Sequence, residues 1–164
     1  MVIIRLATNE DLPQICDLWY TMLLDHGEYE VYYEPSYDSK EQFRSMLNWA
    51  LTTKDRFLFV SEINQEIIGF LYGILRSIPP VFKKGIEAHV SDIVVKEEFR
   101  SMGYGRKLVN YFKGFAEKEG ANVMSLNVHI KNTKAIDFYE KTGWEKQMIV
   151  MRKDITPQDD DIHI

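Results

Sequence analysis

Ile93-Val94-Val95-Lys96-Glu97-Glu98-Phe99-Arg100-Ser101-Met102-Gly103-Tyr104-Gly105-Arg106 runs from a β-branched stretch, through charged residues, into a glycine-spaced loop. A helical pattern opens directly at the loop's end. A strand, a tight turn and a helix N-terminus therefore follow one another. The first turn of a helix leaves its backbone N–H groups without intrahelical acceptors, and the aligned peptide dipoles add partial positive charge there. The natural occupant of such a place is a phosphate or pyrophosphate. The stretch points to a ligand that carries phosphate.

Two common nucleotide loops do not fit the spacing. A P-loop needs a glycine, four residues, then Gly-Lys-Ser/Thr. Here Gly105 is followed by Arg106, Lys107 and Leu108, and no glycine stands five residues before it. The dinucleotide fingerprint needs a third glycine where Leu108 stands, and it belongs in a first βα unit rather than past residue 95. What remains is Arg-x-x-Gly-x-Gly, at Arg100, Gly103 and Gly105. A second motif follows at Asn132, Ala135, Phe138, Tyr139, Gly143 and Trp144. Together, in this order, they resemble the acetyl-CoA loop and the Asn-x-x-Ala-x-x-x-Tyr-(x3)-Gly-aromatic signature of the GNAT superfamily of N-acetyltransferases. Trp144 stands where phenylalanine is more usual. The resemblance extends over the element order of roughly residues 2–153.

Working outward, Val2–Leu6 reads as a strand. Thr8 with Asp11 can cap a helix in which Leu12, Ile15, Leu18, Trp19, Met22 and Leu23 recur at helical spacing up to Gly27. Ser39 starts a second helix carrying Phe43, Met46, Leu47 and Ala50. Residues 57–63 and 67–78 are β-rich runs joined by a hairpin at Asn64-Gln65-Glu66. Ile86–Lys96 is the next strand, and a helix from about Gly103 to Glu119 is closed by Gly120. Residues 122–129 form a strand, 132 or 133 to Lys141 a helix, and Trp144–Arg152 a final strand. The acidic tail from about residue 155 is expected to fray. Strands grouped early and alternating with helices later predict an α/β fold with a mixed sheet, helices on both faces, and a parallel pair formed by 86–96 and 122–129. The resemblance implies a GNAT-like, mostly antiparallel sheet in which that parallel pair splays apart to admit the pantetheine arm.

The chain has 164 residues, which suits one domain, 1–164. No apolar run approaches the ~20 residues of a membrane span, and the N-terminus shows no secretory pattern. A single cysteine among 164 residues excludes an internal disulfide and suits a reducing, cytoplasmic setting. The formal net charge of −5 argues against a nucleic-acid partner, since phosphate-backbone affinity needs clustered lysine and arginine. Positive charge is instead gathered at Arg100, Arg106 and Lys107, around one loop. That balance suits an anionic cofactor and a cationic amine.

Acetyl transfer to an amine needs a neutral nucleophile, although a free alkylamine has a pKa of ~10. It also needs donors for the developing oxyanion and a proton for the leaving thiolate. The resemblance implies acetyl-CoA as co-substrate, no metal, and a primary amine on a small molecule, peptide or protein as acceptor; homodimers are common in the family. It implies that backbone groups of Ile93, Val94 and Val95 pair with the pantetheine amides. It implies also that the amides of Arg100, Ser101, Met102, Gly103, Tyr104, Gly105 and Arg106 wrap the pyrophosphate. Asn132, with Ala135 and Phe138 in its motif, is implied to touch the CoA arm, and Tyr139 to protonate the CoA sulfur. Read without the resemblance, Asn132 is a helix N-cap and Tyr139 a core tyrosine with a wet hydroxyl, one of nine tyrosines.

Strand alternation places Glu87, His89, Ser91 and Ile93 on one face. In several family members the base lies on this strand, eleven residues before the loop, where His89 stands. A histidine with pKa ~6.5 can relay the amine's proton. Glu87 acting through a water, a chain of waters, and a purely structural His89 all stay open. His89 and His129 lack a third ligand at metal spacing. Cys16 reads as a buried hydrophobe, which favours direct transfer in a ternary complex. The tyrosine-rich residues 28–37, with Glu28, Glu30 and Glu34, lie where the family varies with its acceptor; a solvated loop whose aromatics cap the core is the equal alternative. The alternatives are a non-catalytic acyl-CoA-binding regulator, and an interaction module using the exposed tyrosines.

Overall fold

Asn64 and Gln65 take φ of +50° and +68°, so the turn between β2 (Arg56–Ile63) and β3 (Glu66–Ser77) is a two-residue hairpin with both central residues left-handed. That twist matches the strands it joins. The computed structural model describes residues 1–27, 35–79, 81, 82, 85–153 and 155. Of the tyrosine-rich stretch, 28–34 lie outside the described residues, as do Pro80, Lys83, Lys84, Asp154 and 156–164. Contacts divide the chain into two compact units, one ending at Lys131 and one starting at Asn132.

The first unit holds a five-stranded sheet in the order β1-β2-β3-β4-β5, with β1 at Ile3–Leu6, β4 at Ile86–Val95 and β5 at Val123–Leu126. Pairing is antiparallel except between β4 and β5, which run parallel. The mixed sheet and its single parallel pair agree with the expectation from sequence. The helix between β4 and β5, α3 (Tyr104–Lys118), makes the crossover that a parallel pair requires.

Two layers cover the sheet. On one face, α1 (Leu12–Gly27) and α2 (Ser39–Ala50) bury Leu12, Ile15, Leu18, Phe43 and Leu47 against Leu58, Val60, Phe70 and Val94. Trp19 stacks on Phe43 at 4.0 Å between ring centroids. On the other face, α3 sets Phe112 5.9 Å from Phe59 and Phe115 4.5 Å from Phe57. Gly73 permits this contact: a Cβ there would come within 2.4 Å of the Phe112 ring. The periodic residues of the sequence thus fall on the faces that the helices cover.

Before α1, Thr8 N–H donates to the Asp11 carboxylate at 2.8 Å, the reciprocal half of the cap predicted from their spacing. Arg5 reaches the same carboxylate through both Nη atoms, at 2.7 and 2.8 Å, and also Glu62 on β2. It ties β1, β2 and the start of α1 together.

In the second unit, α4 spans Thr133–Lys141. The final strand expected over 144–152 is not formed: those residues carry no regular structure, and the described sheet ends with β5. A strand exists only through a ladder of hydrogen bonds to a partner, and β-branched composition alone does not supply one.

Candidate active site

The loop after β4 is built by backbone conformation. A 3₁₀ turn covers Glu97–Phe99, Ser101 takes φ +63°, and Gly103 takes φ +83° as the residue capping α3. The left-handed Gly103 aims the first-turn amides of Tyr104, Gly105 and Arg106 out of the helix end. No intrahelical acceptor exists for these groups. A Cβ placed on Gly103 would meet nothing within 4 Å, so the concavity in front of the helix is open. Amides without intrahelical acceptors and the positive end of the helix dipole lie at this end, and Arg106 and Lys107 are exposed on the first turn.

Arg100 does something more local. Its Nε donates to the Val95 carbonyl at 3.0 Å, and its Nη2 lies 3.6 Å from Asp25. The guanidinium thus staples the turn to the end of β4 and to α1. Together these elements line a cavity of about 360 Å³ that includes Leu18, Met22, Val94 and Arg100.

Strand β4 is where the structure departs from simple alternation. Val90 pairs with Gly73 and Asp92 with Tyr72, so Ser91 is an extra residue, a β-bulge. The bulge reverses the alternation beyond it. Glu87, His89, Asp92 and Val94 stand opposite Arg76, Ile74, Tyr72 and Phe70, all on the face covered by α1 and α2. Ile93 pairs with Leu71 and lies on the other face, so the expected grouping of His89 with Ile93 is corrected, whereas that of Glu87 with His89 stands. The parallel ladder to β5 ends at Val90 opposite Leu126. From Asp92 to Val95, β4 pairs with β3 on one side and has no described strand on the other.

His89 is 6% exposed, and its Nδ1 lies 2.8 Å from the hydroxyl of Ser125, its direct partner on β5. Burial pushes its pKa below the usual histidine value, Arg76 pushes the same way, and Glu87 opposes. Asp92 was not singled out in the sequence, because its place follows from the bulge. Its carboxyl is held above the ordinary aspartate range by desolvation, partly countered by a hydrogen bond from Ser91. Cys16 is buried and its thiol is pushed up by desolvation, which disfavours a nucleophilic thiolate. Among the described residues no group of three His, Cys, Asp or Glu side chains is placed to hold a metal. None of their helices is long and apolar enough to cross a membrane.

In the second unit, the spacing of the downstream motif has a direct structural meaning. Asn132 caps α4, its Oδ1 accepting from Ala135 N at 3.1 Å. Gly143, at φ +91°, ends the helix: its N–H donates to Glu140 O, and Trp144 N–H to Tyr139 O, both at 3.1 Å. This is the paired 6→1 and 5→2 closure that a left-handed glycine allows. Tyr139 is held between Phe138 and Trp144, with ring centroids 5.1 and 5.7 Å away. Desolvation pushes its phenol up to about 12, so it keeps its proton at neutral pH.

Comparison with known proteins agrees with these motifs. An uncharacterized N-acetyltransferase of Methanocaldococcus jannaschii, MJ1207, is 29% identical over 147 residues, covering 90% of this chain and 62% of the relative. An N-alpha-acetyltransferase of Sulfurisphaera tokodaii is 32% identical over 102 residues, covering 57% of this chain and 59% of the relative. The chain thus spans about three fifths of these two relatives. A crystal structure of a tetramutant of the BH1408 protein from Bacillus halodurans superposes with a TM-score of 0.81 at 21% identity, over 93% of this chain and 99% of that one. The family model described as the acetyltransferase (GNAT) family matches residues 19–144, the span that contains the bulged strand, the loop and the α4 signature, and the chain belongs to that family.

Proposed function

We propose that this chain is an N-acetyltransferase that moves an acetyl group from acetyl-CoA to a primary amine by direct attack in a ternary complex. The observation that carries the reading is the juxtaposition, in one segment, of a helix start opened by left-handed Gly103 and a β4 edge that, among the described residues, has no strand beside it on the β5 side beyond Val90. The amides of residues 100–106 take the diphosphate. The free edge at Ile93, Val94 and Val95 offers backbone groups to the pantetheine amides, as an added strand would receive them. Membership of the family supports both assignments.

Tyr139 is assigned as the general acid. A phenol whose proton is retained to about pH 12 is a donor at every working pH, and the thiolate leaving group needs one. Asn132, Ala135 and Phe138 fix the helix that carries it. The amine's proton is taken up on the face of β4 that holds Glu87, His89 and Asp92. Cys16 stays out of the chemistry, in keeping with direct transfer.

The test is release of CoA thiol from acetyl-CoA in the presence of alkyl diamines, aminoglycosides, amino acids, and peptides with free N-termini or lysine. Acetyl-CoA binding is followed separately through the rise in melting temperature that a native-state ligand produces. Turnover with any amine supports the transferase. Tight acetyl-CoA binding without turnover supports a non-catalytic acyl-CoA-binding regulator instead.

A further inference from the structure

Arg56 opens β2, and Arg76 lies near the end of β3. Arg56 pairs with Ile74, and Arg76 stands two residues farther along the same strand, so the two arginines are diagonal neighbours on one face of the sheet. That face is the one covered by α1 and α2. Diagonal positions are about 7–8 Å apart at the backbone, which lets two side chains of this length reach one ligand. Farther across the same face, Ile74 stands opposite His89, and Tyr72 opposite Asp92. The arginines thus border the patch of β4 side chains assigned above to acetyl transfer, one and two strands back from its free edge.

The two arginines are held in different ways. Arg56 is fixed in place. Its Cζ lies 4.5 Å from the centroid of the Trp49 ring, and its Nη1 donates to the Tyr72 hydroxyl at 2.9 Å. Yet its Nε is buried and has no hydrogen-bond partner, and Asp55 approaches that atom only to 3.9 Å. Arg76 is exposed, and among the described residues no carboxylate pairs with it, although Glu87 is its register partner on β4. Its charge acts on this face: after burial, Arg76 is what holds the His89 ring below the usual histidine pKa. Arg5 shows the contrast. Its guanidinium is matched by both Asp11 and Glu62 and braces the fold. Arg56 and Arg76 share one face with no hydrogen-bonded carboxylate among the described residues, in a chain whose 25 acidic side chains outnumber its 20 lysines and arginines. Planar N–H donors left over in this way suit an anion with two coplanar oxygens.

We infer that Arg56 and Arg76 together bind a carboxylate of the acceptor, and that the acceptor is an amino carboxylate whose amine and carboxylate stand one to two strand spacings apart, roughly 5–10 Å. This specificity rests on the acetyl-transfer reading above, to which it adds the second group that the enzyme recognises. Arg56, already stacked on Trp49 and bonded to Tyr72, gives up little side-chain freedom on binding. Arg76 brings the second positive charge from the neighbouring strand. The chain carries a net charge of −5 and repels anions as a whole, so capture depends on these two side chains.

The experiment compares β-alanine, γ-aminobutyrate and ε-aminocaproate, each with its own carboxamide, which keeps the amine and the length and removes the negative charge. Wild type, Arg76→Gln and Arg56→Gln are assayed side by side, and the acetyl-CoA-induced rise in melting temperature reports folding and cofactor binding for each. In wild type, kcat/KM for at least one acid should exceed that for its amide by about ten-fold or more, the worth of a charge-assisted hydrogen bond. That ratio should fall to within about two-fold of unity in either variant. Turnover in wild type with no preference for any acid overturns the inference and leaves the transferase reading intact. Titration of the same acids into the CoA-saturated protein tests the site apart from turnover. Binding to wild type should be about ten-fold tighter than to Arg76→Gln. Equal binding, or none to wild type, overturns the inference. Arginine-dependent binding without turnover of any amine removes the transferase reading and leaves the carboxylate site standing. Should Arg56→Gln fail to fold, Arg76→Gln, altered only at an exposed side chain, carries the comparison.

Discussion

His89 Nδ1 and Ser125 Oγ lie 2.8 Å apart across the parallel pair β4–β5, at the last register but one of its ladder. The bond links the two strands at their side chains where the backbone ladder is about to stop. A desolvated ring nitrogen left without a partner costs about 1–3 kcal/mol. Ser125→Ala should therefore lower stability by that amount, with the loss read from denaturant midpoints at constant slope. An unchanged midpoint would mean that the hydroxyl contributes nothing to holding the pair.

The pH dependence of His89 has a definite sign. Its folded pKa is depressed, so the unfolded chain binds the extra proton first as pH falls below about 6.5. Stability should decline from about pH 6.5 down to the folded pKa and then level off as far as this group is concerned. His89→Gln should remove this part of the slope; an identical profile would assign the slope to other groups.

Asp92 has the opposite effect. Its folded pKa is raised, so the native state holds a proton more firmly than the unfolded chain, whose carboxyl titrates near 3.8. The native state is penalised as pH rises through the folded value. Asp92→Asn should therefore be as stable as wild type or more so at pH 7, and the difference should shrink toward pH 3. Stability lost for activity in this way is common at functional sites. A lower melting temperature for the variant at pH 7 would contradict the desolvation argument.

Asp11 contributes with the usual sign for a carboxylate. Hydrogen bonds from Arg5, then from Thr8, hold it below the ordinary aspartate range against desolvation. Its stabilisation is present above about pH 4 and is lost as pH falls through the folded value. Asp11→Asn should cost about 2 kcal/mol at pH 7, discounted because Arg5 is partly exposed, and little at pH 2.

Two glycines separate strain from packing. Gly103→Val forces a β-branched residue to φ +83°, a cost of about 1–2 kcal/mol, in a place where its Cβ meets no protein atom within 4 Å. It should abolish the acetyl-CoA-induced rise in melting temperature while the domain still folds. Gly114→Ala, within α3 and equally free of neighbours, should raise stability by up to about 1 kcal/mol and leave that rise intact. Loss of the response in both variants would point to damage to the helix rather than to the loop.

Tyr139→Phe should lower kcat by about 100-fold or more, the usual worth of a positioned proton donor, without altering acetyl-CoA affinity. With the phenol at about 12, no alkaline limb from Tyr139 is expected below pH 11. A kcat within a few-fold of wild type would remove Tyr139 from the mechanism.

Local chemistry makes much of this protein legible in its sequence. Thr8 with Asp11, Asn132 with Ala135, and Gly120 and Gly143 mark helix ends because capping joins residues within about six positions of one another. The spacing Arg100, Gly103, Gly105 announced the loop for the same reason, and the alternating and 3.6-periodic runs announced four of the five strands to within a residue or two, β5 being shorter than expected, and four helices. The tertiary structure alone decided the bulge at Ser91, and with it the facing of Asp92 and Ile93, because a register is set by β3, some twenty residues earlier in the chain. It decided that Ser125 meets His89 and that 144–152 form no described strand, since both depend on which backbone comes to lie alongside. Desolvation, which separates Asp92 from an ordinary surface aspartate, is a sum over neighbours brought from several elements. No window of sequence contains that sum.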